Sequence, residues 1–409
     1  LSAKNLTAEK YNQFVWWDAE IFQLPFVIAS FPEAAKRCLE YRYRTLDEAR
    51  RNASKEGCKG AKYAFCSSVK GDENVWIYAR HPFLQIHISA DVAYGVYNYY
   101  RQTLDREFMT SKGLEIMKEV CLYFASRATL MDDGLYHLNN VTGTDEHHPY
   151  INDDAYTNYE VRFVAIKTLN LIEKLSFAVN NEEIGEISKL LNLYVPLPSK
   201  NGVIPQFRGY LDLKPYLPLS GNGSGKGFQM KASGLYHESQ IIKQHDVLNL
   251  YTYLDVDTPM DVFKDNYQYY MKKCEASSSL TYPVNALCAL MAKDNETFIT
   301  NFYDMLEIDI RDIHNCAYQG VHAGCLAGGW YVMFRGVFGI NPKEDMLEIS
   351  PIWNSPFKNV EMNFIYHNVK IKVKLANDQM VITSNSREHF AIKYKNSLLN
   401  HLGKTVLVK

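Results

Sequence analysis

The spacing of apolar residues changes once, near residue 341, and that change limits the architecture more than any other feature. Before it the chain reads as helices joined by uneven loops. In 111–127, Leu114, Met117, Val120, Cys121 and Phe124 recur at spacings of three and four, which marks one buried helical face. The stretches 155–171 and 233–254 read the same way. Gly, Asn and Ser collect between them, at Asp132-Asp133-Gly134, at 199–202 and at 220–227. After Gly339-Ile340-Asn341-Pro342 the pattern alternates instead, as in Val369-Lys370-Ile371-Lys372-Val373, with a turn at Asn377-Asp378. The chain is predicted to be mainly α: a helical domain over 1–340, then a small antiparallel β-domain over 341–409. Helix pairs closing into a toroid suit so many helices without strands.

With 409 residues the chain can bury a large core. A net charge of -2 gives no general pull towards nucleic acid or anionic membrane. No apolar run approaches the roughly 20 residues of a membrane helix. The 29 Tyr, 20 Phe and 5 Trp read mostly as core, with some free to stack on sugar faces. The eight cysteines form no CxxC pair, so they read as reduced and buried, and no zinc site or other metal is expected. The run 220–227 lacks the GK[ST] ending of a phosphate loop and reads as a mobile surface loop. A start at Leu1, with no signal peptide in view, reads as a processed or truncated product.

Six short motifs stand out in order: Trp17-Asp18-Ala19-Glu20, Tyr41-Arg42-Tyr43-Arg44-Thr45-Leu46, Gly143-Thr144-Asp145-Glu146, Asn152-Asp153-Asp154-Ala155-Tyr156-Thr157-Asn158, Ile242-Lys243-Gln244-His245-Asp246-Val247 and Gly320-Val321-His322-Ala323-Gly324. Together they resemble glycoside hydrolase family 65, a group of inverting α-glucoside phosphorylases and hydrolases. The resemblance covers nearly the whole chain. It implies an (α/α)6 barrel followed by a small C-terminal β-sandwich, a small carbohydrate substrate, no cofactor and a possible homodimer. It also implies a large N-terminal β-sandwich that this sequence does not contain.

The resemblance makes Glu146 the general acid, which must put a proton on the departing sugar oxygen. Asp145 beside it is expected to raise its pKa by repulsion. Glu275, in Cys274-Glu275-Ala276-Ser277-Ser278-Ser279, is expected to be the base that activates water, with the carboxyls roughly 6.5–9.5 Å apart as inversion requires. Asp18, Lys243 and Gln244 would hold the cleaved glucose by hydrogen bonds and Trp17 would wall it. His322 could line the same pocket, while Arg42 and Arg44 read as scaffold. His147 and His148 are adjacent and cannot readily face one ion. Phe65 stands where the family usually has Trp, as a candidate platform for the acceptor sugar.

The expected activity is therefore an inverting, exo-acting α-glucoside hydrolase on a kojibiose-like disaccharide. The serine run at 277–279 keeps open a phosphorylase that uses inorganic phosphate as nucleophile. A catalytically silent scaffold or carbohydrate-binding protein is the remaining alternative.

Overall fold

A computed structural model describes residues 1–4, 10–75, 81–216, 236–254, 256–353, 355–385 and 389–409. The run 220–227 and the opening of the helix expected over 233–254 lie outside these described residues.

Helices that are apolar on nearly every side belong inside, and the chain alternates such helices with one-sided ones. In His87–Thr103 every residue except Arg101 is buried, and in Val247–Thr252 all are. Thr281–Ala292 is buried up to Leu290. With Ala19–Ser30, Ala155–Leu175 and Ala323–Tyr331 these make six inner helices, and the ring closes. Each packs against the next in chain order, and Ala323–Tyr331 returns to Ala19–Gln23. Between them run Pro32–Arg44, Leu114–Arg127, Asn181–Lys189, Met260–Lys273 and Asn295–Glu307, each with one buried face and one wet face. This is the (α/α)6 barrel. A buried ion pair ties its first two helices: Arg42 Nε and Nη2 donate to the two oxygens of Glu20 at 2.6 and 2.9 Å. Removing either partner would leave a charge without water or counter-ion.

One expected helix is much shorter than its periodicity suggests. Over 239–246 the backbone is irregular, and the helix runs only over Val247–Thr252. Its backbone groups are used elsewhere. Ile242 N–H donates to Lys273 O and Ile242 O accepts from Glu275 N–H, at 3.0 and 2.9 Å. Lys243 N–H donates to Asp145 Oδ1 at 2.8 Å. These tertiary bonds outweigh local propensity.

Strands β1 (Thr129–Leu130) and β2 (Tyr136–His137) form a small ladder before the site loop. The remaining strands are β3 (Ile340–Pro342), β4 (Met346–Ile349), β5 (Asn359–Tyr366), β6 (Val369–Ala376), β7 (Gln379–Ser384), β8 (Phe390–Tyr394), β9 (Ser397–His401) and β10 (Lys404–Val408). They make two four-stranded sheets, β10-β7-β6-β5 and β3-β4-β8-β9. Among the described residues these strand pairings are antiparallel except β4 with β8. In β6 burial alternates residue by residue, as the sequence pattern predicts. The β6–β7 hairpin turns on Asn377 and Asp378, both at positive φ, the geometry that favours these residues.

Candidate active site

The motif residues share one structural address, just ahead of the inner helices. Trp17 and Asp18 precede Ala19–Gln23, and Glu146 lies in the loop before Ala155–Leu175. Lys243 and Gln244 precede Val247–Thr252, the serines precede Thr281–Ala292, and His322 caps Ala323–Tyr331. All of them line a cavity of about 480 Å³, together with Lys4, Tyr11, Trp16, Phe65 and Cys316. Helix N-termini carry partial positive charge, so this end of the barrel favours anions.

Asp145 fixes the Glu146 loop. Its carboxylate points into the core, where it accepts from His148 Nδ1 at 2.6 Å, from Gln206 Nε2 at 3.0 Å and from Lys243 N–H. Burial would raise its pKa, but the His148 charge and these bonds outweigh that and hold it down at about 2. Burial would lower the His148 pKa, but Asp145 raises it on balance. The other ring nitrogen donates to Ser239 O at 2.7 Å, which fits an imidazolium. Asp145 is thus an anchor for the loop and not the repulsive neighbour expected from the sequence.

Glu146 is half-buried and accepts from Lys243 Nζ at 2.8 Å. Gln244 Nε2 donates to Thr144 O at 2.5 Å, tying its segment to the same loop. Trp17 is buried, edge-on to Phe22 and His87 with ring centroids 5.2 Å apart. Asp18 opens on the cavity, and burial pushes its pKa up to about 6, helped by the charges of Glu20 and Glu146. Trp16 lies between Tyr11 and Phe65, edge-on to both at 5.2 and 5.0 Å.

At the other wall, His322 Nδ1–H donates to Asp309 Oδ1 at 2.5 Å, and its backbone N–H donates to Asp309 Oδ2 at 2.9 Å. That fixes the tautomer and turns Nε2 towards Lys4 Nζ, 2.5 Å away. Burial lowers the pKa of both His322 and Lys4. Lys4 was not singled out in the sequence, because a lone lysine far from every motif carries no signal.

Glu275 does not line the cavity. It is 3% exposed, and both carboxyl oxygens are engaged: Oε1 accepts from the Tyr236 hydroxyl and Oε2 from His147 Nε2 at 2.8 Å. The carboxylate clasps the acid loop to the segment that leads into the serines. Its assignment as a water-activating base is withdrawn, since neither oxygen is turned to the cavity.

A ring of six inner helices gathers acid, cation and hydroxyl groups at their N-terminal end. Residues 1–331 match the family described as "Glycosyl hydrolase family 65 central catalytic domain", and the chain belongs to that family. It is 49% identical over 405 residues to 3-O-alpha-D-glucosyl-L-rhamnose phosphorylase of Lachnoclostridium phytofermentans, covering 97% of this chain and 53% of that protein. It is 33% identical to a kojibiose phosphorylase of Halothermothrix orenii, covering 94% of this chain and 53% of the relative. A solved structure from human microbiome, provisionally assigned as a kojibiose phosphorylase, superposes with TM-score 0.88 at 23% identity. It covers all of this chain and 62% of that one, and carries the fold alone. The chain spans about half the length of the curated relatives it matches.

These relatives correct the hydrolase expectation. They are named as phosphorylases, and the carboxylate that a hydrolase would need is the one found clasped in the core.

Proposed function

We propose that this chain carries the catalytic barrel of an inverting phosphorylase that splits an α-glucoside with inorganic phosphate. One observation supports it above the others: Lys4 and Ser277–Ser279 line the cavity that holds Glu146, while Glu275 is turned away. Phosphate needs cationic and hydroxyl donors, and a carboxylate base there would repel it. In this reading Glu146 protonates the departing sugar oxygen. Phosphate attacks the anomeric carbon from the opposite face, so the products are β-glucose 1-phosphate and the free acceptor sugar. In reverse, Glu146 as carboxylate takes the acceptor's proton, with Lys243 Nζ 2.8 Å from its Oε2.

The acceptor proposed is a deoxyhexose of the L-rhamnose kind, because the relative at 49% identity is named for such a substrate. The aromatic wall of Tyr11, Trp16 and Phe65 suits a sugar with an apolar methyl edge. Incubation with 3-O-α-glucosyl-L-rhamnose and phosphate should yield β-glucose 1-phosphate by phosphorus NMR. Release of glucose at an equal rate without phosphate would sink the phosphorylase reading.

Asp18 is proposed to accept hydrogen bonds from glucose hydroxyls as a carboxylate. Its pKa is raised to about 6, so that form prevails above pH 6 and is lost as pH falls through this value. KM for the glucoside should therefore climb below pH 6, and Asp18→Asn should flatten that limb of the profile. An unchanged limb in Asp18→Asn would assign it to another group.

A further inference from the structure

The His322 wall holds a thiol that the proposed reaction does not use. Cys316 lines the cavity and is only partly buried. Its Sγ lies 3.4 Å from His322 Nε2 and 4.0 Å from Lys4 Nζ. His322 is oriented from behind by Asp309, through Nδ1 at 2.5 Å and through its backbone N–H at 2.9 Å. His322 Nε2 faces both the thiol, at 3.4 Å, and Lys4 Nζ, at 2.5 Å, while Asp309 fixes the tautomer from behind, so a nucleophile, a shared base and an orienting group stand in series. The ammonium group adds an electropositive face, the setting in which thiols become reactive. The cysteine loop is itself built rigidly, since Asp312 Oδ1 accepts from Cys316 N–H and Ala317 N–H, both at 2.7 Å.

We propose that Cys316 is an activated thiol and the covalent modification site of this cavity, open to small neutral electrophiles. That its capture would stop turnover rests on the phosphorylase reading, because the modified sulfur would occupy space beside Lys4 and His322. With iodoacetamide the balance is simple. Lys4 Nζ gives up its hydrogen bond to His322 Nε2, the thiol proton passes to that nitrogen, the sulfur electron pair forms the S–C bond, the C–I bond breaks and iodide leaves. No oxidant or reductant is required. Cys121, Cys274, Cys288 and Cys325 are fully enclosed, and burial raises their thiol pKa, to about 12 for Cys121 and Cys274. Burial also raises the thiol pKa of Cys38 and of Cys66. Cys58 is similarly half-exposed, yet its Sγ meets only a backbone oxygen, Glu56 O at 3.9 Å.

The test is peptide-level mass spectrometry of the native protein during labelling by iodoacetamide at neutral pH. Cys316 should react on the order of tenfold faster than Cys58, as a favoured thiolate does. His322→Gln should bring the Cys316 rate down to that of Cys58 while leaving the Cys58 rate unchanged, which serves as the folding control. Asp309→Asn should slow it in the same sense. A Cys316 rate no greater than that of Cys58, or one indifferent to His322→Gln, overturns the proposal. Inorganic phosphate is the separate arm: fast labelling that phosphate does not slow upholds the thiol and counts against the phosphate site.

Discussion

Glu146→Gln should lose on the order of 10²–10⁴-fold in phosphate-dependent cleavage of a disaccharide, the usual scale for a missing general acid. The amide keeps the shape of the side chain, so Lys243 Nζ, 2.8 Å from Oε2 in the parent, still meets an oxygen. What disappears is the proton for the departing sugar oxygen. A substrate whose leaving group needs little protonation separates these effects. With α-glucosyl fluoride and phosphate the variant should keep far more of the parent rate than it does with a disaccharide. Initial rates on the two substrates decide it: an equal loss on both would mean that Glu146 only holds the sugar or Lys243 in place.

A helical part and a β-part were legible because their periods differ, three-to-four before residue 341 and two after it, while closure into a six-fold barrel was legible only through the family resemblance. The candidate cavity was legible as far as its motifs reach. Trp17, Asp18, Glu146, Lys243, Gln244 and His322 do meet in one cavity, and each sits on a loop next to an inner helix. The sequence misled at Glu275. Its nearness to the serine run was readable, but the direction of its side chain was not. That direction is set by Tyr236 and His147, which lie 39 and 128 positions away. The same limit applies to Lys4, which reaches the cavity from a position 318 residues before His322. It also applies to 239–246, where an apolar pattern that reads as helix gives way to bonds with Asp145 and the 273–275 strand of chain. Partners far apart in sequence leave no local pattern, so tertiary choice overrides propensity at the place where the chemistry is assembled.

Gly143→Ala should damage the site without touching any group that meets substrate. A Cβ built on Gly143 would lie 2.1 Å from Asp154 Oδ1 and 2.8 Å from Asp246 Oδ2. Neither carboxyl is free to swing away. Asp154 caps the Ala155–Leu175 helix, with Oδ2 accepting from Thr157 N–H at 2.9 Å and Oγ1 at 2.6 Å. Asp246 accepts from Tyr156 N–H at 3.0 Å and from Thr144 Oγ1 at 3.1 Å. Burial and mutual proximity push the pKa of Asp246 well up, and burial raises that of Asp154. The added methyl must therefore push the glycine strand outward, and with it Thr144, Asp145 and Glu146. Overpacking of this kind costs about 1–3 kcal/mol, readable as a lower urea midpoint. An acid displaced by about 1 Å loses roughly 10²-fold in kcat. Asp154→Ser removes the obstructing oxygen and keeps a capping hydroxyl, so it should restore part of both losses in the double variant. Parent-like stability and kcat in Gly143→Ala alone would show that the carboxyl pair yields, and that the acid loop is not held from beneath by it.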